Sequence, residues 1–168
     1  RCSTPTRPRA GWARSRWWTT PVDWPAGHEV TGYWFLDAPD GWTPDGALAA
    51  FLAAGPPPVY VGFGSMSTHD ADVTLDAILA ALRRTGQRGL VHPGGAGLGR
   101  AHLPADVALV RDVPHEWLFP RCAAVIHHGG AGTTAAGLRA GVPSGVVAHI
   151  GDQPYWGRPG PAFGDPEA

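Results

Sequence analysis

The run His127-His128-Gly129-Gly130-Ala131-Gly132-Thr133-Thr134 concentrates the residue types that grip an anion. It leaves an apolar segment, Ala123-Ala124-Val125-Ile126, and enters a helical one, Thr133 to Ala140, closed by Gly141. Glycines at such a junction let main-chain N–H groups approach a ligand closely. The start of the helix adds unpaired donors and about half a positive charge. Thr133 and Thr134 supply hydroxyls in the first turn. A diphosphate suits that environment. His127 and His128 are neighbours at a strand end and point to opposite faces, so they do not share one metal ion. His128 is expected on the phosphates and His127 as a packed or capping residue.

Three more segments carry glycines or polar groups after an apolar run: Gly62-Phe63-Gly64-Ser65, Asp112-Val113-Pro114-His115 and Gly151-Asp152-Gln153-Pro154. Asp152 and Gln153 pair an acceptor with an amide, which suits sugar hydroxyls, although an aspartate before Pro154 also suits a plain turn. Ser65 is read as a phosphate-facing hydroxyl or a turn residue. His115 opens a short helix, as a ligand contact or a surface group.

The elements that must position these groups alternate regularly. Apolar strands are expected at 59–63, 89–92, 107–110, 123–127 and 144–149. Helices are expected at 45–53, at 70–84 with Val73, Ile78, Leu79 and Leu82 inward, at 114–119 and at 133–140. Strands that are apolar throughout and alternate with helices indicate an α/β fold, a Rossmann-like parallel sheet covered on both faces. In such a sheet ligands bind beyond the carboxyl ends of the strands, so all four loops face one crevice. Trp34, Trp42 and Trp117 are expected as core or cover for the sheet.

The chain of 168 residues suits about one domain, and its 16% of charged residues with 43% hydrophobic ones argue for a globular protein. A net charge of −1 gives no field to draw in nucleic acid, and no apolar run is long enough for stable membrane insertion. Cys2 and Cys122 form no disulfide framework or paired metal motif. Cys122 is expected as a buried thiol, which fits a cytoplasmic protein. Residues 1–24 read as a tail or linker, 25–157 as the folded domain, and 158–168 as an irregular tail.

In order and spacing, Gly62 to Met66, Val113-Pro114-His115, the 127–134 run, Arg139 to Pro143 and Gly151-Asp152-Gln153 resemble the bacterial family 1 glycosyltransferases. Sterol-glucosyltransferase-like and macrolide or glycopeptide-antibiotic enzymes are the particular likeness, over residues 24–157. The resemblance implies the C-terminal, donor-binding half of a two-domain GT-B fold, incomplete at its C-terminus. It places Ser65, His128, Gly129, Gly130, Ala131, Gly132 and Thr133 on the donor diphosphate. It places Val113 and His115 on the nucleoside, and Asp152 and Gln153 on the donor sugar. The family transfers a hexose from a UDP- or dTDP-sugar with inversion, using no cofactor and no bound metal. The acceptor is a small lipophilic alcohol, and a His base supported by an Asp comes from the N-terminal domain, which this chain is expected to lack. Two departures stand out. Asp112 occupies the place of the base-stacking tryptophan of plant relatives, and Ala136 lies near their ribose-binding glutamate.

Two other readings stay open. A non-catalytic sugar-nucleotide-binding fragment would share every feature above. An NAD-binding domain is suggested by Gly130-Ala131-Gly132-Thr133-Thr134-Ala135, with Asp152 following Gly132 by 20 residues. That fingerprint normally follows the first strand of its unit, and here three strands precede it.

Overall fold

The computed structural model of the chain describes residues 23–25, 27–28, 33–64, 71–94 and 103–157. Of the expected tails over 1–24 and 158–168, residues 1–22 and 158–168 lie outside the described residues, as does Ser65. The chain divides into two units, Arg1–Asp37 with Pro159–Ala168, and Ala38–Arg158. In the first, His28 N and Nδ1 lie 3.3 and 3.1 Å from the Pro25 carbonyl. Trp34 was expected to pack. It is 77% exposed, on an extended stretch that has no helix or strand to turn one face inward.

The second unit holds the sheet. Its strands are β1 (Val59–Gly62), β2 (Gly89–His92), β3 (Val107–Leu109), β4 (Ala124–His127) and β5 (Ser144–Val146), all paired in parallel in the order β3-β2-β1-β4-β5. The chain steps outward from β1 to β3 and then returns to lie on the other side of β1. The point of reversal, between β1 and β4, is where such a sheet opens a crevice beyond its strand ends. Gly62 is in register with both His92 and His127, so these three form the last level of the sheet on that edge.

Alternation along the strands divides the core. Tyr60, Leu90 and Val125 face Leu118, Phe119, Cys122 and Leu48 on one side. Val91 and Val107 face helix α2 (Ala71–Thr85) on the other. The buried stripe of α2 is Leu75, Leu79 and Leu82, a spacing of four and three residues that keeps one face inward. Val73, expected on that face, is 62% exposed, because it stands two residues before Leu75 and points away from the stripe.

The remaining helices are α1 (Gly46–Ala53), α3 (His115–Leu118), α4 (Ala131–Ala140) and α5 (Gln153–Trp156). Asp45 caps α1, its Oδ1 accepting from Leu48 N at 2.7 Å. The Arg88 guanidinium donates to the carbonyls of Pro56 and Phe51 and lies over the Phe51 ring, fastening the end of α1 to the start of β2. Trp42 and Trp117 pack edge to face at 5.1 Å.

Two boundaries differ from expectation. Helix α4 starts two residues early, because Gly130 takes the N-cap conformation (φ −64°, ψ 139°) and glycine is tolerated in a first turn. Strand β5 stops at Val146 instead of His149. Gly129 (φ +89°) turns β4's chain away, so the last link is Val147 N donating to His127 O at 2.8 Å.

Candidate functional site

At the end of β4 the two histidines part. His127 is fully buried, on the face shared with Tyr60 and Val125. Its Nδ1 accepts from Gly129 N–H at 3.1 Å, and its Nε2 is buried without a hydrogen-bond partner. Burial, reinforced by the nearby His128 and His115, pushes its pKa down to about 4. Gly129 is obligatory for the turn that follows. A Cβ there would stand 2.7 Å from Val146 Cγ1 and 2.8 Å from the Gln153 carbonyl, on top of a left-handed φ.

The His128 ring fills space that two other glycines leave open. A Cβ on Gly64 would lie 2.9 Å from its Cε1, and one on Gly130 would lie 2.4 Å from its Nε2. The loops after β1 and β4 therefore meet around this imidazole. Its Nδ1 is buried without a hydrogen-bond partner of good geometry. Burial lowers its pKa and His149 adds to that, while the Gly62 main chain and Asp152 work in the opposite direction.

Helix α4 begins beside that ring with no side-chain cap. The N–H groups of Ala131, Gly132 and Thr133 have no partner among the described residues, as the geometry of a helix start dictates. Thr134 folds back, its N and Oγ1 both 3.0 Å from Gly130 O, whereas the Thr133 hydroxyl has no such bond among the described residues. Gly132 differs from its neighbours: a Cβ there would meet nothing within 4 Å, and its φ is ordinary. The chain's own packing does not require glycine at 132.

On the β5 side the expected sugar pair separates. Gln153 is 7% exposed, and its Oε1 accepts from His149 N (2.7 Å) and Ile150 N (3.0 Å), buckling the loop. Asp152 is exposed, with Oδ2 accepting from Trp156 Nε1 at 2.8 Å. His149 meets Phe63 edge to face at 5.3 Å, joining this loop to the one after β1.

Val113 and His115, expected on the nucleoside, lie beyond β1, β2 and β3. Asp112 adopts φ +53°, a left-handed bend that aspartate tolerates better than most residues and that directs the chain into Val113-Pro114. His115 stacks on Phe119 at 4.4 Å and 15° and meets Tyr60 edge-on at 6.0 Å. Asp112, Val113 and His115 line a cavity of about 200 Å³ together with Tyr60, His92, Val110 and Leu118. Burial lowers the pKa of His115, as does the neighbouring His92, against the raising effect of Glu116. Tyr60 and His92 had no expected role. The signal that could have found them is the shared register: Gly62 leaves the room that the Tyr60 hydroxyl fills, and His92 stands beside it on the same face.

Among the described residues no cluster of His, Cys, Asp or Glu is arranged to hold a metal ion. No helix among them is long and apolar enough to cross a membrane.

Comparison with known proteins fits this arrangement. The erythromycin biosynthesis protein CIII-like C-terminal domain matches residues 77–164. The chain is 48% identical over 138 residues to the sterol 3-beta-glucosyltransferase UGT80A2 of Arabidopsis thaliana, covering 82% of this chain and 22% of that protein. It is 44% identical to the O-mycaminosyltylonolide 6-deoxyallosyltransferase of Streptomyces fradiae, covering 81% of this chain and 31% of that one. Among solved structures, the glycosyltransferase SnogD from Streptomyces nogalater superposes with a TM-score of 0.54 at 31% identity, over 69% of this chain and 31% of its own. The chain thus spans about a fifth to a third of the length of these relatives. With the parallel sheet, its reversal point between β1 and β4 and the glycine turn after β4, these matches mean that the chain belongs to the erythromycin biosynthesis protein CIII-like C-terminal domains of the family 1 glycosyltransferases.

Proposed function

We propose that this chain is the donor-binding part of an inverting hexosyltransferase that moves a sugar from a UDP- or dTDP-sugar to a hydroxyl of a lipophilic acceptor such as a sterol or a polyketide. The observation that carries the reading is the junction of β4 and α4, where the His128 ring lies against Gly130 and the first three N–H groups of the helix have no partner among the described residues. Preorganised donors of this kind stabilise the charge that develops on a leaving diphosphate, and they need no reorganisation during the reaction. Asp152, exposed on the loop after β5, accepts from a sugar hydroxyl in this reading. Val113 and the cavity beneath it take the base. The acceptor hydroxyl is deprotonated by a general base and attacks the anomeric carbon from the face opposite the diphosphate. The NAD reading is the weaker one, because its glycine fingerprint follows the fourth strand among the described residues and not the first.

Saturation-transfer NMR on the chain with UDP, dTDP and NAD tests this directly. Signal transfer to UDP or dTDP is expected, and transfer to NAD alone would overturn the reading. Gly132→Ala tests the site itself. Alanine is the better helix former, and nothing obstructs its Cβ, so the folded chain should gain about 0.5 kcal/mol. The methyl group would stand where the diphosphate approaches the main chain, so UDP affinity should fall about tenfold. A variant that is both more stable and equally good at binding UDP would remove the α4 start from the site.

A further inference from the structure

We infer that Trp156 is a positioning residue that sets the Asp152 carboxylate for the donor hexose. The inference rests on the donor-binding reading above and adds a residue to it.

Asp152 stands exposed at the start of α5, where nothing in its own backbone would hold one side-chain rotamer. Residue 156 is one helical turn further on, and side chains at that spacing lie one above the other. The Trp156 indole Nε1–H donates to Asp152 Oδ2 at 2.8 Å. The main chain closes the same turn, Tyr155 N and Trp156 N both pointing at the Asp152 carbonyl, at 2.9 and 3.4 Å. The indole is half-buried, with the Tyr155 ring edge-on at 5.3 Å, so the donor is carried on a bulky group with few rotamers.

The chemistry of the donor matters. An indole N–H donates one hydrogen bond, carries no charge and does not titrate. It therefore fixes the carboxylate without neutralising it, unlike an arginine or lysine at the same place. One oxygen is held and the other stays open to accept from a sugar hydroxyl. Gln153 works on the other side of the same turn, gathering the N–H groups of His149 and Ile150 through Oε1. The expected acid–amide pair thus divides its labour: Gln153 shapes the loop, and Asp152, aimed by Trp156, meets the sugar.

The test compares the affinities of the chain for UDP and for UDP-glucose, measured by calorimetry in the wild type, Trp156→Phe, Trp156→Gln and Asp152→Ala. Phenylalanine keeps the aromatic bulk and removes the donor. Trp156→Phe should weaken UDP-glucose about 3- to 10-fold while UDP changes less than about twofold. Glutamine can donate to an aspartate one turn away, so Trp156→Gln should recover part of the loss. Equal losses for both ligands in Trp156→Phe would mark the contact as merely structural and overturn the inference. If Asp152→Ala lowers UDP-glucose binding and Trp156→Phe does not, the inference fails and the sugar-binding role of Asp152 stands. If Asp152→Ala leaves the preference unchanged, that role fails and the inference with it.

Discussion

His128→Ala should weaken UDP binding by about 10- to 150-fold, the equivalent of losing one hydrogen bond to a charged group, about 1.5–3 kcal/mol. The expectation follows from how the ring is held. Gly64 and Gly130 are shaped around it, and substitution of either would push a Cβ into the imidazole. Its Nδ1 is buried without a hydrogen-bond partner of good geometry, and its pKa is lowered mainly by burial. Without ligand the ring is therefore neutral near pH 7. A diphosphate reverses the balance by placing negative charge beside the ring, which favours the imidazolium. Binding should accordingly take up a proton, and the heat of binding should depend on the ionisation enthalpy of the buffer. Calorimetry of the wild type and His128→Ala in two buffers reads both effects. An unchanged affinity in the variant would take His128 out of the site, and buffer-independent heats would leave it as a neutral donor.

Much of this arrangement was legible in the chain because it rests on local pattern. The apolar runs of β1, β2 and β4 were unmistakable, since strands buried on both faces carry no polar alternation. The glycine run after β4 announced both a tight turn and a helix start. Local pattern failed where a tertiary partner decides the outcome. β5 is three residues shorter at its end than its apolar text because β4 turns away at Gly129. Trp34 is aromatic yet exposed, because hydrophobicity alone does not say which face an extended segment offers.

The candidate site divides in the same way. His128 and the start of α4 follow from one stretch of chain. The cavity containing Tyr60 and His92 depends on the register between β1 and β2, which no single segment encodes. The inward turn of Gln153 depends on two N–H groups that lie four and three residues upstream. An acid followed by an amide looks like a matched pair on paper. Only the turn reveals that one stays exposed and the other closes the loop.

Acid should destabilise the fold through His127 by about 3 kcal/mol between pH 7 and pH 4. The ring is fully buried, and its pKa is pushed down to about 4 from the ordinary 6.5, first by burial and then by His128 and His115. A depressed histidine pKa means that the folded state refuses a proton the unfolded state accepts. The stability tied to the neutral ring is complete above pH 6.5 and is lost as pH falls through the interval down to about 4, at about 1.4 kcal/mol per unit. His92, His115 and His128 are shifted in the same direction, so they steepen the slope. His127→Asn isolates the contribution. The Asn Oδ1 can take over the hydrogen bond from Gly129 N–H that Nδ1 now accepts, while nothing at 127 titrates. The variant loses packing and is expected to be less stable at pH 7, so the informative quantity is the slope. Urea unfolding at pH 7, 5.5 and 4 should give a shallower decline for His127→Asn than for the wild type, with most of the difference below pH 6. Parallel declines would mean that the buried ring already accepts a proton in the folded state. The unpartnered Nε2 would then have to face a hydrogen-bond acceptor and not the closed interior in which it now sits.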